Sequence, residues 1–241
     1  METSVEIRTG AECKHDATGA HQPKPGCACQ NLLPKRKVHS LIGLFLTMFL
    51  LVHMAIGATG LWPVAYRLTI ARLEAHKTGT SILLLAVVLP LAVQAITGLY
   101  LLRKHGFRYN VKKCKRGGKL RFFLQRVSAV SILSFVAFHF ISLRRAGLLP
   151  ASPADAFHAT TFAFRAISSL AWFNSIWVVF SLLALWSLAF HVANGGWTGS
   201  VVWNLIRPDS PNRYVRVVCC GFGVLLIGLS TAAWFAFVRG A

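Results

Sequence analysis

Three histidines, His53, His139 and His191, sit inside long apolar runs of a chain otherwise sparing with ionisable groups. An imidazole in such a run has two uses: a hydrogen bond to a neighbouring helix, or a nitrogen lone pair for a metal such as iron. Ionisable groups are costly in an apolar layer and usually face a bundle interior or a cofactor, so function is expected at these positions. The other polar candidates are few. His39 and Arg126 lie near the ends of their runs, and Gln94 is the only amide deep in the second.

The elements that carry these residues must cross a membrane. Of 241 residues, 55% are hydrophobic and 14% charged, with a mean hydropathy of +0.55. So few charges cannot cover a soluble domain. Apolar stretches at about 39–61, 79–102, 122–143, 170–193 and 215–238 each approach or exceed the ~20 residues that span ~30 Å of hydrocarbon. The expected fold is an all-α, integral membrane bundle of five transmembrane helices over 35–241, preceded by a flexible polar tail, 1–34.

The net charge of +19 reports orientation and not nucleic acid. Eighteen of the 26 Lys and Arg fall in the tail, the 103–121 loop and at Arg207, Arg213 and Arg216, while seven fall on the opposite side. The positive-inside bias therefore places the N-terminus in the cytoplasm. The basic loops suit either anionic lipid headgroups or a docked partner. The tail carries Cys13, His15, His21, Cys27 and Cys29, at spacings that match no closed zinc or iron set. Cys114 lies in the basic loop and Cys219-Cys220 in the fifth span, so no disulfide framework is implied.

Odd-numbered spans enter from the cytoplasm. If the first begins near His39 and the third near Phe123, then His53 and His139 lie 14 and 16 residues in, roughly 21 and 24 Å at 1.5 Å per residue. Gln94 lies eight residues before an exit at Leu102 and His191 about seven before Thr198, a second layer roughly 10 to 12 Å from the cytoplasmic face. Two imidazoles at matched depth on co-directional helices favour the axial pair of a haem b. Gly43, Gly98, Ser128, Ser131 and Gly223 are read as close-packing positions.

Four segments carry a family resemblance: VHSLIGLFLTMFLLVHM (38–54), LPLAVQAITGLY (89–100), FFLQRVSAVSILSFVAFHF (122–140) and FHVANGGWTGSVVW (190–203). Over about residues 35–238 the chain resembles the five-helix cytochrome b subunit of succinate:quinone oxidoreductases, the membrane anchor of succinate dehydrogenase and fumarate reductase. In the two-haem members of that family each of the first four helices donates one histidine. The first and third hold a distal haem, the second and fourth a proximal one. His53, His139 and His191 match three of these positions, and Gln94 stands at the fourth.

A neutral amide is a poor iron ligand, and His76 and His105 lie 18 residues before and 11 after Gln94, too far along a helix to replace it. The resemblance therefore implies one haem b at His53 and His139, and a second that is five-coordinate at His191 or absent. It further implies quinone as substrate, a flavoprotein and an iron-sulfur partner on the cytoplasmic side, and a bacterial cytoplasmic membrane, and it leaves homo-oligomerisation of the complex open. His39, Arg126 and Ser128 are the candidates for a quinone pocket. Ser40 and His39 suit a haem propionate equally well, and Arg126 suits either that propionate or snorkelling to the surface. Glu74 and His76 form an ionisable pair near the outer face, read as a solvated loop. The competing classes are a haem-free anchor whose histidines tie helices together, and a cytochrome b of another respiratory dehydrogenase. Transport is disfavoured, since the spans contain no broken-helix pair.

Overall fold

The structure, a computed structural model, describes residues 33–75, 77–105, 116–145, 156–165, 168–206 and 212–239. The cysteines and histidines of the tail, Cys114, His76 and the Glu74 side chain lie outside the described residues. Five helices are long and apolar enough to cross a membrane: α1 (Leu33–Ala58), α3 (Lys77–His105), α4 (Arg116–Arg145), α6 (Ala171–Val202) and α7 (Arg213–Arg239). Two shorter helices, α2 (Pro63–Glu74) and α5 (Ala156–Arg165), complete the order, with a 3-10 turn at Thr59–Leu61. The chain is an all-α, multi-pass membrane bundle.

Several elements extend past their expected ends. α1 begins at Leu33 and not near His39, and in its first turns the Lys35 and Lys37 ammonium groups lie over the Tyr100 and Trp203 rings, at 4.2 and 5.4 Å. α6 continues nine residues beyond the expected 193, through Gly195, Gly196 and Gly199. Those glycines sit where backbones approach closely: a Cβ on Gly199 would stand 2.7 Å from Ser40 Oγ of α1. The hydroxyls of Thr198 and Ser200 donate to carbonyls of the preceding turn, Asn194 O and Gly196 O, so the polar side chains are satisfied within the helix. α6 stops at Asn204, whose φ of 57° is left-handed. Its N–H donates to Val201 O, and the next N–H, of Leu205, donates to Ser200 O, the paired bonds of a Schellman cap.

The packing defines a four-helix ring. α1 lies against α3 and α6, and α4 against α6 and, more lightly, α3. α1 faces α4 across one diagonal and α3 faces α6 across the other, without sustained backbone contact on either. α7 packs outside the ring on α1 and α6. Met54 of α1, Phe135 of α4 and Trp177, Ala184 and Leu185 of α6 form one buried apolar cluster. Outward positions such as Leu44, Leu89, Val179 and Val224 are exposed, as expected where the surroundings are lipid tails.

α2 and α5 form a cap over one end of the ring, opposite the basic end where α1 and α4 begin. Tyr66 is buried against Phe157 and Phe237, and its hydroxyl meets that of Thr160 at 3.1 Å. Burial pushes the Tyr66 phenol above its ordinary value, with the Thr160 bond pulling weakly the other way. The cap was not expected from hydropathy, since both helices are too short to span.

Candidate functional site

His53 and His139 meet across the α1–α4 diagonal, with ring centres 6.5 Å apart and planes crossed at 76°. Each is backed by a phenylalanine one turn earlier on its own helix. Phe49 stacks on His53 at 5.5 Å and Phe135 on His139 at 5.4 Å, and Phe164 of α5 closes on His139 from the cap at 6.0 Å. The His53 ring is exposed by area and His139 half-buried, yet the two face each other. Neither makes a hydrogen bond to another described residue.

The pair can be tested for fit to an iron held between them. Metal–imidazole bonds of about 2 Å, plus about 1.1 Å from nitrogen to ring centre, place trans-ligated centroids roughly 6.3 Å apart. The observed separation matches. A crossing angle near perpendicular is compatible with such a pair, since two imidazoles that share a metal can take any angle about their common axis. The apolar aromatic wall also suits a porphyrin face.

Nearer the basic end all four ring helices contribute to one polar layer. On α3, Thr97 donates its proton to Val93 O at 2.8 Å, so its oxygen accepts from His39 Nδ1 of α1 at 3.0 Å. The Gln94 amide nitrogen, also of α3, then donates to His39 Nε2 at 3.3 Å. Both His39 nitrogens are engaged by α3. On α4, Ser128 donates to Gln125 O at 3.0 Å and therefore accepts from His191 Nδ1 of α6, also at 3.0 Å. Donor counting fixes His191 with its proton on Nδ1 and its Nε2 lone pair available, the arrangement common to metal-binding histidines.

A chain of bonds runs from this layer to the basic end. Gln125 Nε2 donates to His191 O at 3.2 Å, Asn194 Nδ2 to Gln125 Oε1 at 2.7 Å, and Arg121 Nε and Nη2 to Asn194 Oδ1 at 3.0 and 2.6 Å. The Arg121 and Arg216 guanidiniums flank Trp197, at 5.8 and 5.7 Å. His39, Gln94, Ser128 and His191 were singled out from sequence. Thr97, Arg121 and Asn194 were not, although Asn194 three residues after His191 and Thr97 three after Gln94 repeat on one helical face.

For a second iron in this layer the fit is poorer. His191 offers one nitrogen. Across the α3–α6 diagonal stands Gln94, whose nitrogen is bonded to His39 and whose Oε1 is buried without a hydrogen-bond partner. The layer thus presents one imidazole nitrogen and an unused carbonyl acceptor.

The remaining sequence candidates separate. Ser40 lies at the α1–α6 contact beside Gly199. Arg126 donates to Phe122 O at 3.3 Å and lies over the Phe122 ring. A snorkelling role, with the stem along its own helix, accounts for that placement. Comparison with family models, with curated proteins and with solved structures returns no match to this chain.

Proposed function

We propose that the chain is the haem b membrane subunit of a succinate:quinone oxidoreductase, conducting electrons from an iron-sulfur partner at the cytoplasmic face to membrane quinone. One observation carries this reading: two imidazoles that make no hydrogen bond to another described residue face each other across the bundle diagonal at 6.5 Å. A scaffold whose histidines tie helices together needs the bonds that these two lack.

His53 and His139 would hold one haem b, which supplies a one-electron carrier whose potential depends on its axial nitrogens and surroundings. Phe49, Phe135 and Phe164 line that pair with apolar ring surface, the kind of surround that sets the potential of a bound redox centre. His191, oriented by Ser128, is suited to at most a one-imidazole second site.

Quinone chemistry requires a polar pocket near the surface, with a donor for the ring carbonyl and an acceptor for the reduced hydroxyl. The inner layer supplies the acceptor, Gln94 Oε1, which has no hydrogen-bond partner among the described residues, beside a His39 whose two nitrogens are held by Thr97 and Gln94. The basic end, with Arg121 and Arg216 around Trp197, suits an acidic partner surface.

Affinity purification from native membrane tests the reading. A flavoprotein and an iron-sulfur protein should copurify, and succinate-dependent quinone reduction should fall when Gln94 is changed to Leu while succinate oxidation by an artificial acceptor persists. Isolation without either partner, and without succinate activity in the parent membrane, would overturn it.

A further inference from the structure

The far-end cap contains an arginine with no anionic partner among the described residues. Arg67, in α2, has its Nε buried without a hydrogen-bond partner. Its Nη2 reaches His158 Nε2 of α5 at 3.3 Å. Among the described residues His158 is its one partner, and none of the seven acidic side chains falls among those described. Thr161, one turn beyond His158 on α5, also has a buried hydroxyl oxygen without a partner. Of the three buried polar atoms left without partners among the described residues, two belong to this cap.

Buried polar groups are nearly always satisfied, and an unsatisfied one marks a missing water, ion or ligand. A guanidinium offers a planar fork that matches carboxylate and phosphate oxygens. His158 is exposed, so the site is open on one side. On the same helix Phe164, one turn beyond Thr161, packs against the His139 ring at 6.0 Å.

The geometry points to an oxyanion site formed by Arg67, His158 and Thr161, taking a carboxylate or phosphate group at the far end of the bundle. Two sources supply that chemistry: a propionate of a haem held by His53 and His139, and the phosphate of an anionic lipid. The first rests on the proposed haem. The second does not.

Each source has its own arm of the test, run on the full-length chain as wild type, Arg67→Gln, Arg67→Lys and the exposed control Arg72→Gln. In the haem arm, apoprotein is titrated with haem b and with its dimethyl ester, which lacks free carboxylates. Wild type should prefer haem b by roughly tenfold or more, the size of a charged hydrogen bond. In Arg67→Gln that preference should disappear. In the lipid arm, unfolding temperature is compared between phosphatidylcholine discs and discs containing phosphatidylglycerol, and Arg67→Gln should lose any upward shift seen in wild type.

An Arg67-dependent preference in either arm, retained in part by Arg67→Lys and unaffected by Arg72→Gln, supports the site and identifies its occupant. Arg67-independent behaviour in both arms overturns it. So does an Arg67→Gln effect that vanishes in an Asp155→Asn background, which would assign the oxyanion to the protein itself. If the chain binds neither haem nor its ester, the haem reading fails and the lipid arm alone decides the site.

Discussion

Replacing Asn194 with Ala tests the chain of bonds that runs from the His191 backbone carbonyl to the basic end. Asn194 is 7% exposed, accepts twice from Arg121 and donates once to Gln125. Its truncation leaves Gln125 Oε1 without its donor, a cost of about 1 kcal/mol or more if no water replaces it. The charged bonds would add more in a dry interior, but Arg121 is exposed and recovers water. Interhelical bonds in membranes also average only about 0.6 kcal/mol. The expected loss is therefore about 1 to 2 kcal/mol, read as a shift in the mixed-micelle denaturation midpoint followed by helical circular dichroism. Asn194→Asp keeps the acceptor for Arg121 but not the donor, so it should fall between wild type and Asn194→Ala. Combined with Gln125→Leu, Asn194→Ala should couple by at least about 0.5 kcal/mol. Additive losses would show that the two residues do not act through one another and would refute the chain.

Gly199→Ala should destabilise the bundle by about 1 to 3 kcal/mol through the clash at Ser40, and Ser40→Ala should relieve part of it. Gly221→Ala, where nothing lies within 4 Å, should be neutral or slightly stabilising in the same assay. Nitrogen-15 spectra of labelled His191 should report the Nδ1–H tautomer in wild type and a mixture in Ser128→Ala; identical tautomers would remove Ser128 from the orienting role. Electron paramagnetic resonance of the oxidised holoprotein should give the highly anisotropic low-spin signal of crossed imidazole planes, following the 76° angle. The rhombic signal of parallel planes would contradict that geometry.

The five spans were legible because lipid leaves the backbone few choices, so a run of Leu, Val and Phe of the right length announces a helix. The His53–His139 pair was legible for a related reason. Helical rise converts sequence position into depth, and two co-directional spans brought their imidazoles level. Side-chain direction was not legible. His39 was placed at a helix mouth, but α1 starts six residues earlier and both His39 nitrogens turn to α3. The 194–202 segment read as a polar exit because Gly, Thr and Ser dominate it, whereas close contact with α1 and α7 keeps it helical. α2 and α5 escaped notice because short cap helices gain stability from tertiary packing, here of Tyr66 and Phe157 on Phe237, and carry no spanning signal.

The pyridine-haemochrome content and reduced optical spectrum of the purified chain test most directly whether His53 and His139 share an iron. The account predicts six-coordinate haem b, at one per chain for the diagonal pair, with the sharp reduced alpha band lost in both His53→Ala and His139→Ala while the fold persists by circular dichroism. A colourless wild-type protein, or a spectrum untouched by removing both imidazoles, would contradict it.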